Sequence, residues 1–454
     1  MRGLAILAAL LVLLPARALA WDEVTHGHIT KMAVAEVRDP ELKAFLLAHQ
    51  DEVQSGTWFP DWGHAIKPHG EATHSLYLDA AFDDLADPAV RASPQYDCLL
   101  AHYLGVYAHV VEDRVLDATL KKHAHEVGEG HRDDLENGML AIAREGYLKR
   151  AFTPYLPASD FARIYRRAGY FGERRLDADT LAPVMARSMA GSMTLNRELK
   201  FLSFLASGEM ARVYPWGAAN IVEAPGGFRS NARAVAAGWE ATWTQVHGRP
   251  SPFFVYALPQ DGGVLPTADA ASPYGRITIV ARQRLDVPHL TPDLVRLTDS
   301  AGVRLPVSVF PYIDVPGHDT DLAFQIRADT PWRPGETYHL AIAPGPYAPS
   351  RAGVVAPFQL SFSAPTQTLF TRRIDAPRPW AMGIFLFVLV GGFGAMIFGA
   401  PDQLRLALRE GADPFWLQGL NLAAKATGGV LGLLAFYLLW TNGAAFIDWL
   451  HFHH

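Results

Sequence analysis

Residues 99–120 read LLAHYLGVYAHVVEDRVLDATL. Apolar side chains return at three- and four-residue spacing with no proline, which predicts a helix laid against a core. Inside it stands His109-Val110-Val111-Glu112-Asp113. The i, i+4 spacing of His109 and Asp113 puts both on one helix face, where they can grip one ion or where one can bridge two. Asp117 continues that face. The plain alternative is a histidine capped by a carboxylate inside a helix core.

Working outward, residues 196–214 carry the same helical spacing, and the chain is helical in character up to about residue 247. Near residue 248 the pattern inverts. Short runs at 276–280, 303–310, 322–326, 338–342 and 358–362 alternate with Pro, Gly and Asp turns, which predicts a β-sandwich of about one hundred residues. The stretch Pro334-Gly335-Glu336-Thr337-Tyr338 before one of these strands resembles the bacterial Ig-like domains appended to surface proteins.

At the N-terminus, Arg2, an apolar run over 3–14, the Pro15 break and Ala18-Leu19-Ala20 read as a secretory signal peptide cleaved before Trp21. At the other end, residues 380–400 and 426–447 are free of charge and long enough to span a bilayer, so they predict a transmembrane hairpin with a cytoplasmic loop at 401–425. The segment 365–379 reads as a linker and 448–454 as a tail. The expected location is the inner membrane, with the N-terminal part exported to the periplasmic or extracellular side.

The 454 residues suit two or three structural units. A formal net charge of −6 offers no long-range attraction to nucleic acid or anionic lipid, so a polyanion would need local sites or metals. One cysteine, Cys98, forbids an intrachain disulfide and excludes Cys-based zinc fingers and iron–sulfur clusters. It reads as a buried small hydrophobe. Histidine is another matter: of 18 His, eleven fall between His26 and His131. His is the commonest metal ligand at neutral pH.

Further elements point the same way. Ser55-Gly56-Thr57-Trp58-Phe59-Pro60-Asp61-Trp62 places Asp61 after a proline-bounded turn, Glu71 to Leu78 sets His74 among apolar residues, and His26 opens the mature chain. In this order they resemble the zinc-dependent phospholipase C family, including the catalytic domain of glycosylphosphatidylinositol-specific phospholipase D, and more distantly the single-strand-specific zinc nucleases. The resemblance covers roughly residues 21–138 and is strongest over 56–61, Thr73-His74 and 104–113. It implies an all-α domain at 21–247 carrying two or three zinc ions. Trp21 would bind through its freed amine and carbonyl, His26 early in the site, and Asp61 and His74 with His109, while Asp113 bridges. Asp117, His131 and Asp134, with Glu136 as substitute, are nominated for the remaining zinc; Asp117 stands where the phospholipase D relatives have a His.

The expected architecture is therefore multidomain: the all-α zinc phospholipase-C-like domain, an all-β Ig-like sandwich at 248–364, then the two-helix transmembrane hairpin. Clustered zinc ions polarise a phosphoryl oxygen and lower the pKa of a bound water to about 7. The expected function is a membrane-anchored zinc phosphodiesterase cleaving phospholipid headgroups, with Asp61 either a pure ligand or the base that orients water. The alternatives are a zinc-dependent single-strand nuclease or nucleotidase, with Trp58, Phe59, Trp62 and Tyr77 as a stacking face, and a non-catalytic zinc-binding scaffold.

Overall fold

The computed structural model describes residues 23–63, 70–129, 155, 158–167, 215–311, 320–353 and 355–368. The helices are α1 (Glu23–Glu36), α2 (Pro40–Ala48), α3 (Gln50–Gly63), α4 (Gly70–Ala86), α5 (Pro88–Arg91), α6 (Tyr96–Ala118), α7 (Leu120–Glu126), α8 (Ala158–Arg167), α9 (Pro215–Asn220) and α10 (Phe228–Val246). Strands follow: β1 (Phe254–Leu258), β2 (Gly263–Val264), β3 (Ile277–Asp286), β4 (Val295–Asp299), β5 (Arg304–Leu305), β6 (Val307–Pro311), β7 (Thr320–Ala328), β8 (Thr337–Ile342) and β9 (Phe358–Ser363). Asp39 caps α2 through the amides of Glu41 and Leu42, with Pro40 at the first turn, where its missing N–H costs nothing.

Helix α6 organises the molecule. Every residue from Leu99 to Ala118 is buried, His, Glu, Asp and Arg included. A helix buried all round needs cover on every side, and helices alone do not provide it. Helices α1, α3, α4 and α10 pack on part of its surface, and strands β3 and β7 on the rest. Two close approaches are made possible by glycine. A Cβ on Gly56 of α3 would fall on the His102 carbonyl, and one on Gly105 of α6 would fall on the Val53 carbonyl. The two backbones meet there as no larger residue would allow.

The strands form two sheets, β1-β3-β7-β6 and β2-β9-β8-β4-β5. Ile277, Ile279, Phe324 and Ile326 of the first face Leu297, Leu340, Leu360 and Phe362 of the second across one core. Period-two alternation sends Val280 and Ala323 to the opposite face, into the core shared with α6 and α10. The run expected as one strand at 303–310 is two, because Pro306 breaks it: β5 pairs with β4 in one sheet and β6 with β7 in the other.

Polar contacts stitch helices to sheet. Arg114 Nε lies 2.8 Å from Asp321 Oδ1, with both side chains 1% exposed. Gln325 donates to the Ala118 carbonyl at 2.9 Å, and the Tyr107 hydroxyl donates to the Ala281 carbonyl at 3.3 Å.

The expected fold class is corrected by this packing. An all-α domain followed by an independent all-β sandwich is replaced, among the described residues, by a mixed α/β arrangement in which helices and one sheet bury a common core. The physical reason is α6: its apolar surface extends around the whole helix, so one face is left for a sheet to cover. The hairpin expected at 380–400 and 426–447 lies outside the described residues, as do the signal peptide at 1–20 and the helix expected at 196–214. No helix among the described residues is long and apolar enough to cross a membrane. The turn expected at 55–62 is helical, with Pro60 inside α3.

Candidate metal centre

The site lies where α1, α3 and α6 meet. On α1, His26 and Thr30 are one turn apart and fully buried, with Ile29 and Ala33 in the core beside them. On α6, His109 and Asp113 are likewise one turn apart and buried. His26 Nε2 stands 3.5 Å from Asp113 Oδ1. His109 Nε2 stands 3.4 Å from Asp113 Oδ2. The ligand atoms of all three residues fall within 4.8 Å of one another. The two imidazoles stack at 3.8 Å between centroids.

Each ring is held from behind. His109 Nδ1 donates to the Thr57 carbonyl at 2.8 Å, an acceptor that leaves the Nε2 lone pair directed at Asp113. The Gly56–Gly105 contact makes this bond reachable, since it brings the α3 backbone against α6. His26 Nδ1 is 2.7 Å from Glu112 Oε2. The Thr30 hydroxyl donates to the other Glu112 oxygen at 3.2 Å and lies 3.1 Å from the Thr57 hydroxyl. A ring whose Nδ1 is bound to a carboxylate or carbonyl and whose Nε2 faces a ligand position is the arrangement that fixes metal-binding histidines.

Burial pushes the Glu112 carboxyl well above its ordinary range; the Thr30 hydrogen bond pulls it down and the neighbouring Asp113 charge raises it further. Two carboxylates buried side by side are costly unless a cation or proton compensates. The donor set fits zinc. Ligands bound at about 2.0–2.2 Å in a tetrahedron stand about 3.3–3.6 Å apart, and the two imidazole-to-carboxylate separations of 3.5 and 3.4 Å match that edge.

Of the residues nominated from sequence, the structure brings together His26, His109 and Asp113. Asp61 falls on α3 and His74 on α4, their side chains outside the described set. Trp21, His131 and Asp134, and the substitute Glu136, lie outside the described residues. Asp117 is buried, and Lys121 Nζ meets its Oδ1 at 2.9 Å. Glu112, Thr57 and Thr30 were not singled out as functional. The signal for Glu112 was an ionisable side chain amid an apolar helix next to a nominated ligand; none existed for Thr57, which acts through its main-chain carbonyl.

Neighbouring histidines have other roles. Burial drops His102 to about 3, so it is neutral, and its ring meets Phe59 edge-on at 5.3 Å. His28 is lowered by burial and by Lys31, and its ring meets Phe228 edge-on. His123 stacks on Tyr274 at 4.0 Å while its Nδ1 meets Glu126 at 2.9 Å.

No protein-family model matches this chain, and no curated protein matches it. Among solved structures, it is similar to the S-layer protein rSbsC(31-844), with 8% identity and a TM-score of 0.20 over 72% of this chain and 46% of that one. The N-terminal part of the bacterial S-layer protein SbsC is similar at 10% identity and a TM-score of 0.20, over 71% of this chain and 79% of that one. The chain thus spans about half the length of the first structure, and a likeness this slight carries no conclusion about fold or function.

Proposed function

We propose that this chain is a zinc-dependent phosphodiesterase of the phospholipase C type, acting on phospholipid headgroups, with His26, His109 and Asp113 at its metal centre. One observation supports it above all: two buried imidazoles present Nε2 to opposite oxygens of a single carboxylate. That is how a carboxylate shared between two ions would be addressed, His26 serving one and His109 the other. Zinc supplies Lewis acidity and a water of lowered pKa. Glu112 and the Thr57 carbonyl hold the two rings at Nδ1, so neither must reorient when the ion enters. Asp61, on α3 with Thr57, is the residue nominated to orient water. The phospholipid class rests on the family resemblance of residues 56–61, 73–74 and 104–113.

The burial of His26 and His109, both at 0% exposure, favours a second reading: a metal-stabilised core without catalysis. Phosphorus NMR of mixed phospholipid vesicles incubated with the zinc-loaded full chain separates the two. A water-soluble phosphorylated headgroup, absent with His109→Ala, is the expected result; phosphatidic acid would reassign the cut to the phospholipase D bond. An unchanged spectrum from protein whose zinc content has been measured would overturn lipid hydrolysis and leave the core reading. N-terminal sequencing of the exported product tests the free amine at Trp21 on which the family's ligand set depends.

A further inference from the structure

Cys98 is half-buried, in the first turn of α6. It does not stand by itself. His49, at the C-terminal end of α2, and Glu52, in the first turn of α3, are half-buried beside it, and one ligand atom from each of the three lies within 4.8 Å of the others. His49 Nδ1 and Glu52 Oε2 are 3.8 Å apart, too far for a hydrogen bond.

We propose that His49, Glu52 and Cys98 form a second cation site that takes a thiophilic divalent ion of the zinc type. A nitrogen, an oxygen and a sulfur donor held at this spacing suit an ion with bonds of about 2.0–2.3 Å, and the sulfur selects zinc over magnesium or calcium. The donors sit at the ends of three packed helices, so their positions are set by backbone. Glu52 occupies a helix first turn, where the amide dipoles favour its carboxylate; burial and the neighbouring Glu52 push the Cys98 thiol up, so an entering ion must displace its proton. That ion would also offset the repulsion between the carboxylate and the thiolate so formed. Phe45 packs on the His49 ring at 4.7 Å and limits its rotation. Three protein donors at a half-exposed position leave a coordination place to water, the pattern of an exchangeable ion. The site shares no ligand with the His26–His109–Asp113 cluster, which is eleven residues farther along α6 from Cys98, about 16 Å, and the proposal does not rest on the phosphodiesterase reading.

Because Cys98 is the chain's one cysteine, any thiolate-to-metal signal reports this site alone. The full chain is titrated with Co²⁺ and followed by its thiolate-to-cobalt charge-transfer absorption. The expected result is a saturable band of one ion per chain, lost in Cys98→Ser and retained in His109→Ala. Its midpoint should rise roughly tenfold or more in His49→Ala and in Glu52→Gln, the scale on which even outer partners of a metal act. No band at saturating Co²⁺, or a midpoint unmoved by both variants, overturns the proposal. Should a variant fail to fold by circular dichroism, X-ray absorption of the zinc-loaded wild type decides: a sulfur neighbour at about 2.3 Å supports the site, and nitrogen and oxygen neighbours alone refute it.

Discussion

Asp113 and Arg114 are consecutive on α6, yet they face different worlds. Arg114 points to the sheet and meets Asp321 of β7, one cation to one anion. Asp113 points to α1, where two carboxylates and two imidazoles crowd together. The first pair is electrically closed and works as a clamp between layers. The second cluster is rich in anionic oxygen and in lone pairs aimed inward, and it asks for a cation. Burial is nearly equal on the two faces, so exposure does not separate structure from function here; charge balance and the direction of the donor atoms do.

Breaking the clamp should have the largest effect. Arg114→Met strands a buried carboxylate at Asp321 and should cost about 3–5 kcal/mol of unfolding free energy by denaturant titration. Arg114→Met combined with Asp321→Leu should recover most of it. A loss from the single variant no greater than that of the double would mean that α6 is not held there by charge. The metal face should respond to ligand instead: in a Cys98→Ser chain, which lacks the second cation site, zinc at a hundredfold its Kd should raise stability by about 2.7 kcal/mol, with no shift in unfolding midpoint once His26→Ala or His109→Ala is added. Equal zinc stabilisation in those variants would put the ion elsewhere.

Gly105→Ala tests how α3 serves both faces. The added methyl meets the Val53 carbonyl, so a cost of about 1–3 kcal/mol is expected, accompanied by reduced zinc content as Thr57 is pushed off His109. Stability loss with full zinc content would separate the packing from the site.

His102 sharpens the comparison through pH. Its folded-state pKa of about 3 lies below the ordinary 6.5, so below pH 6.5 the unfolded chain takes up a proton that the fold refuses. Its contribution to stability is present above pH 6.5 and drains away as pH falls toward 3. In metal-free protein, His102→Gln should flatten the acid limb of the stability curve; an unchanged limb would show that other groups control it. At the small end, Arg229 pairs with Glu223 in the open at 2.9 Å. Arg229→Ala should leave the thermal midpoint where it is.

Local signals carried far in the chain. The helix expected over 99–120 is Tyr96–Ala118, and the strands expected at 322–326, 338–342 and 358–362 lie within β7, β8 and β9. Three- and two-residue periodicities survive because each element has a buried side. Strands β1 and β4 escaped notice, short segments beside prolines and turns. Pro60 misled in the other direction: it reads as a turn, but packing of α3 along α6 keeps the helix going through it. On α6 the His109–Asp113 spacing marks one face, while the apolar residues over the rest of its surface call for a sheet.

The pairing of His109 with Asp113 follows from sequence alone, because an i, i+4 spacing is a property of any helix. So does the change from helix to strand near residue 248, marked by the end of α10 at Val246. What only the tertiary structure decided is which distant groups complete the centre. His26 and Glu112 are 86 positions apart and meet at 2.7 Å, while Thr57 contributes a carbonyl that every residue possesses. Sequence separation carries no record of such meetings. They depend on how closely two helices pack, which here turns on two glycines facing each other across α3 and α6.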